Sequence, residues 1–331
     1  GTMDIPSGRT FTVSGGTFTG STGAVDVNGA VAISGGTLTA PSGDFTVSGN
    51  WAQSGGTFTP GSNTVTFDAA SGTTQTLDSF DTSFNNISHS GAGTLQLVSS
   101  PLTVGGTFTN SAGTFDASTN EIAVTVTGLA TISGGTYNGT NNNNVFNSGL
   151  TISGGTFDVR TTGSGVIDVN GDLTLSSGTL DLTNSSDMLK VSGNWSKTGG
   201  TFTENASGVT FDGASGTQTL NSGGSSFYSV THSGAGTLQL VTNNLTVLGE
   251  FTNSAGTFDA NGLTNTVTAL TTISGGTYLA STATQTFNGA WGVSGGTFTG
   301  GSGTVDSNGS LTISSGTLTA PSGTFAVSGD W

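Results

Sequence analysis

Two histidines, His89 and His232, are the only imidazoles in the chain. General acid–base work or metal binding would need partners converging on them. Each instead stands in the same string, HSGAGTLQLV, at 89–98 and again at 232–241, with no other chemistry-bearing side chain in it. The pair therefore reads as one repeated residue, on the surface or at the edge of a repeating unit. A second pattern, Asp-x-Asn-Gly, occurs at Asp26-Asn28-Gly29, Asp168-Asn170-Gly171 and Asp306-Asn308-Gly309. Its spacing resembles the opening of a calcium loop, but the further oxygen ligand and the bidentate Glu are missing. Asn-Gly is also a strong turn former. The turn is the first reading, and Ca²⁺ is the alternative that the acidic balance keeps open; no other cofactor is expected.

The third pattern is Thr-apolar-Thr. Thr17 and Thr19, Thr37 and Thr39, Thr57 and Thr59, Thr297 and Thr299, and Thr317 and Thr319 each flank an apolar residue. On a strand, both threonines of a pair face away from the residue between them, so stacked strands would line them up as a ladder. Such a double row is similar to an ice-binding surface. Threonine also suits any solvated strand, and Asp116, Asn138, Asp158, Asp181 and Asp259 replace the second Thr elsewhere. Paired carboxylates for glycoside hydrolysis would have to come from distant rungs, and an eliminase would need basic clamps. The whole chain holds four basic residues, Arg9, Arg160, Lys190 and Lys197, so a catalytic site is not expected.

The net charge is -15. Nucleic acid and anionic membranes are held chiefly by Lys and Arg, so neither is an expected partner. No run of apolar residues is long enough to span a membrane as a helix. The 331 residues include 57 glycines and no cysteine, so disulfides and thiolate chemistry are excluded. Such glycine content suggests disorder, but 19 phenylalanines at regular intervals argue for a packed core.

Those intervals define two periods. The long one is about 141 residues: FTNSAGTFDA at 108–117 returns at 251–260, and VSGNW at 47–51 returns at 191–195. The chain divides into repeats 13–151, 152–292 and a partial 293–331. The short period is about 20 residues, marked by Thr17, Thr37 and Thr57, and by Thr277, Thr297 and Thr317. Within it, apolar and polar residues alternate over three to five positions between Gly, Pro, Ser and Asn turns, which is the pattern of short half-buried strands. Three strands and three turns in about 20–22 residues make one rung of a right-handed parallel β-helix, an all-β solenoid running through 1–331. The tryptophans of SG[N/D]W, Trp51, Trp195 and Trp331, are expected to pack in its core or at its corners, with exposed rings that stack on sugars as the alternative.

The stretch VSGNWAQSGGTFTPGSNTVTFDAASGTTQTL, with SFNNISHSGAGTLQLVSSPLTVGGTFT after it, resembles the repeats of large bacterial β-strand-repeat surface proteins. It is similar, at greater distance, to filamentous-haemagglutinin-type and autotransporter adhesins. The resemblance implies export to the cell surface, membership of a longer array, and a structural or adhesive role as stalk, spacer or surface-layer component. The implied partners are adjacent repeats of the same array, end to end, and other surface proteins or glycans.

Overall fold

A computed structural model describes residues 1–159, 166–182 and 188–331; Arg160 lies outside them. The chain is a parallel β-solenoid of about 16 turns, all-β, with no helix among the described residues. Its contacts divide it into two compact units, Gly1–Asp168 with Ser177–Asp181, and Val169–Ser176 with Leu182–Trp331.

In the first unit the strands stack in three columns. One column runs through Met3–Ile5, Val25–Val27, Phe45–Val47, Thr64–Phe67, Asn86–His89, Phe108–Asn110 and Ala130–Ile132, every pair parallel and in register. A second begins in the long strands Thr10–Thr19 and Ala30–Thr39 and continues through Trp51–Gln53, Thr74–Asp78, Thr94–Leu97, Thr114–Asp116 and Thr136–Asn138. The C-terminal halves of those two long strands start a third column with Thr57–Thr59, and further along the unit Leu102–Val104, Val124–Val126 and Asn144–Phe146 stack in the same way.

The alternation dictates which residues enter the core. In Phe45–Val47 and Val124–Val126 the outer two residues are buried and the central threonine is half exposed. Because register is exact, inward residues sit on inward residues: Val25, Phe45, Val65, Ile87, Phe108 and Ala130 form one row. Each fully buried large side chain contributes roughly 1.5–3 kcal/mol. Main-chain groups pair from rung to rung at corners too, as in Val31 N to Asn50 O at 2.8 Å.

Corner glycines serve two ends. Gly36 has φ of 69°. Gly29 does not need the left-handed region, but a Cβ there would fall 1.7 Å from Arg9 O, so the rung spacing itself admits only glycine.

Trp51 is fully buried and packs on Phe58 and Phe84 at ring-centroid distances of 4.8 and 5.1 Å. Trp195 repeats this in the second unit with Phe202 and Phe227, both at 5.0 Å. Trp331, the last residue, is 88% exposed. The expected interior placement therefore holds for the first two tryptophans, while Trp331 has no strand stacked over it.

Next to each tryptophan cluster lies a longer rung, pairing Trp51 with Leu77 and Trp195 with Leu220. Its corner takes two consecutive left-handed residues. In the second repeat these are Gly223 (58°) and Gly224 (77°), in the first Phe80 (48°) and Asp81 (58°). Phe80 is half exposed, so little packing offsets its backbone strain. Phe80→Gly should therefore raise stability by about 1 kcal/mol, read as a higher urea midpoint at unchanged m-value. The reverse change, Gly223→Phe, should destabilise, because a Cβ there comes 2.6 Å from Lys197 O.

Candidate functional site: outward rows and buried polar residues

The threonines singled out by sequence do stack. Thr17, Thr37 and Thr57 are in register, as are Thr19, Thr39 and Thr59, so the first unit carries a two-by-three array. Thr297 and Thr299 stack on Thr317 and Thr319 in the second. Neighbours along a row are separated by about 4.8 Å, and the two rows by about 6.6 Å.

These arrays are parts of a larger pattern that the Thr-apolar-Thr motif does not reveal. In the second unit Thr217, Thr237, Thr257, Thr277, Thr297 and Thr317 form one unbroken row. Its companion row reads Thr219, Gln239, Asp259, Leu279, Thr299 and Thr319, so paired threonines stand on the first rung and the final two, with three unpaired rungs between them. In the first unit Thr74, Thr94, Thr114, Thr136 and Thr156 form the equivalent row. Beside it Thr76 is followed by Gln96, Asp116, Asn138 and Asp158. This first-unit row lies in a different column from Thr17–Thr37–Thr57, because the long rung after Trp51 moves the motif round by one side.

Asp116 shows how the acidic members are held. Burial works to raise its pKa, but hydrogen bonds from Thr119, Ser118 and Gln96 outweigh this and keep the carboxyl below its ordinary value. Ser118 Oγ donates at 2.7 Å, and Gln96 Nε2 donates from the neighbouring rung at 3.3 Å. In the second unit Gln239 Nε2 donates to Asp259 at 2.9 Å in the same way.

A further outward row passes through the centres of the B-i-B strands. It runs Thr46, Thr66, Ser88, Thr109, Thr131 and Thr151 in the first unit. In the second it runs Lys190, Thr210, Thr231, Thr252, Thr272, Gly292 and Thr312. A signal for it was present in the sequence as the polar centre of each three-residue alternation, but single threonines in solvated strands carry no distinctive motif.

The Asp-x-Asn-Gly sites are strand-plus-corner elements. Asp26 stands between Asp4 and Thr46 in its row, and Asn28 Nδ2 donates to Asp4 at 3.2 Å and to Asp26 at 3.3 Å. An amide donor thus faces both carboxylates. Asp306 lies between Thr286 and Ala326, and Asn308 Nδ2 donates to Asn288 Oδ1 at 2.9 Å. Asp168 is half-buried and Asn170 exposed, and both have interaction partners. Among the described residues no group of three or more His, Cys, Asp or Glu is arranged to hold a metal.

The histidines correct the sequence reading. They are core residues, His89 at 0% and His232 at 1% exposure, because each occupies an inward slot of its strand. His89 stacks between Phe67 and Asn110, His232 between Phe211 and Asn253. Nδ1 lies 2.6 Å from Asn110 Oδ1 in the first and 2.7 Å from Asn253 Oδ1 in the second. Each asparagine uses its own amide hydrogens on backbone carbonyls, Gly134 O at 2.9 Å and Gly275 O at 3.1 Å. The proton is therefore on Nδ1, and His89 Nε2 has no hydrogen-bond partner among the described residues. Lys197 also points inward, at 8% exposure.

No protein-family model, curated protein or solved structure matches this chain.

Burial lowers both histidine pKa values below 6.5, and the asparagine bond offsets this only in part. The unfolded chain therefore binds protons that the folded chain refuses. Stability contributed above pH 6.5 should be lost as the pH falls through and below that value, by at most about 1.4 kcal/mol per pH unit for each histidine. Urea midpoints at pH 7.5 and 5.5 check this. The double variant His89→Phe, His232→Phe should lose stability overall and flatten the slope between those two pH values.

Proposed function

We propose that this chain is a structural module of a large, repetitive bacterial surface protein. In this reading it acts outside the cell as a spacer or matrix component that stacks on neighbouring repeats of its own array. The observation that carries the reading is what the long repeat duplicates. Trp51 with Phe58 and Phe84 becomes Trp195 with Phe202 and Phe227. His89 with Asn110 becomes His232 with Asn253. Gln75 Nε2 on Val47 O at 2.7 Å becomes Gln218 Nε2 on Val191 O at 2.6 Å. These copied contacts are interior, and among outward positions Thr46 is matched by Lys190 and Thr151 by Gly292. Duplication that preserves the scaffold and lets the surface vary favours a mechanical and spatial role over a fixed catalytic one.

The resemblance to bacterial β-strand-repeat surface proteins and to adhesin solenoids supports the same reading, in which other surface proteins and glycans are further contacts. A scaffold of this kind needs no cofactor: stability comes from rung stacking and the paired main chain.

Antibodies raised against residues 1–331 should label intact, unpermeabilised source cells, and brief protease treatment of those cells should remove the labelling. Signal that emerges only after lysis would overturn the surface assignment.

A further inference from the structure

The central row of the second unit is interrupted once. Thr210, Thr231, Thr252 and Thr272 stack in register, Gly292 follows, and Thr312 resumes the row. The matching row of the first unit has Thr151 at the corresponding place and is continuous. Glycine weakens a strand interior and marks positions where something approaches the backbone closely.

Nothing in the fold demands glycine here. Gly292 lies outside the left-handed region, and a Cβ built on it would meet only Thr312 O, at an ordinary 3.5 Å. The corner glycines are different: most would place a Cβ well under 3 Å from the backbone of the preceding rung. The bulk of Trp291 does not explain it either, since that side chain points into the core, where Nε1 donates to Ser307 Oγ at 2.8 Å.

Gly292 lies in the floor of a surface notch of about 230 Å³, which a side chain there would partly fill. Thr272 and Thr312 close its two ends, two rung spacings or about 9.6 Å apart. Ser294 and Ser314 form one side, Leu270 and Ala290 the other. Leu270 is 42% exposed, an apolar residue kept in solvent beside four hydroxyl groups. No lining residue is ionisable, and Glu250 occupies the corner position one rung below Leu270.

We propose that this notch is a binding site for a neutral saccharide unit. A pyranose matches it in three respects. Its C–H face can lie on Leu270 and Ala290, its edge hydroxyls can exchange hydrogen bonds with Thr272, Thr312, Ser294 and Ser314, and its lack of charge suits a lining without ions. An anionic sugar would be repelled by the acidic surroundings, and a cation would find no carboxylate in the lining.

The test is a titration of the ¹⁵N-labelled chain with methyl β-glucoside, methyl β-galactoside and methyl α-mannoside, followed by amide shifts and saturation transfer. At least one glycoside should bind in the millimolar range and shift the amides of residues 270–272, 290–294 and 312–314. Gly292→Thr, which completes the row with the residue its neighbours carry, should abolish binding while leaving the thermal midpoint unchanged or higher. Leu270→Ser, at an exposed position, should weaken binding at least fivefold and supplies a second reading should Gly292→Thr disturb the fold. The site is overturned if none of the glycosides binds, if binding survives Gly292→Thr, or if glucosamine or methyl glucuronide binds in preference to the neutral glycosides. Failure here would leave the surface-scaffold reading intact, since that is decided by labelling of whole cells.

Discussion

Exact register between consecutive rungs is the constraint from which the other features follow. A parallel ladder places each residue directly over its counterpart about 4.8 Å away, so a choice made in one rung is imposed on the next. Facing inward, this stacks apolar on apolar, as in Val25, Phe45, Val65, Ile87 and Phe108. Facing outward, it draws threonines into rows. At the corners it brings successive backbones so close that Gly29, beneath Arg9 O, has no room for a side chain.

The same constraint explains how the core tolerates polar side chains. Buried amides sit near corners, where carbonyls of neighbouring rungs are within reach: Gln75 donates to Val47 O, Gln218 to Val191 O, and Asn110 to Gly134 O. Tyr137 finds Asn144 Oδ1 at 2.8 Å, and Tyr278 finds Gln285 Oε1 at 2.7 Å. Satisfied pairs of this kind limit the penalty of burying polar atoms. The exceptions recur: Trp51 Nε1 and Trp195 Nε1 are both buried without partners among the described residues. Leaving an indole N–H unpaired costs roughly 1–3 kcal/mol, and the aromatic contacts each ring makes with Phe58 or Phe202 and their neighbours act against that cost.

Outward positions are under weaker control, and there the two long repeats diverge. Lys190 stands where the first repeat has Thr46, Gly292 where it has Thr151, and Gly223 where it has Phe80. A surface free to change over a stack whose register is kept is how a scaffold acquires local features without losing its stacking.

By itself the sequence determined the local rules: period-two alternation specified strands, Gly and Asn-Gly specified corners, and the 20-residue step specified a parallel stack. All of these depend on neighbours in the chain, or on a repeat visible as text. It also marked the threonine pairs at 17, 37 and 57 as a ladder, since equal spacing in sequence becomes register in space. What only the tertiary structure decided is which side of the rung each motif reaches. The longer rung after Trp51 shifts the threonine motif to another column, a sum over insertions that no single motif contains. Tertiary structure also decided that His89 and His232 are interior, because a histidine flanked by Ser and Gly reads as solvated until Phe67 and Asn110 are stacked against it. The Gly292 notch, likewise, exists only as a gap between Thr272 and Thr312, residues brought together by stacking rather than by sequence.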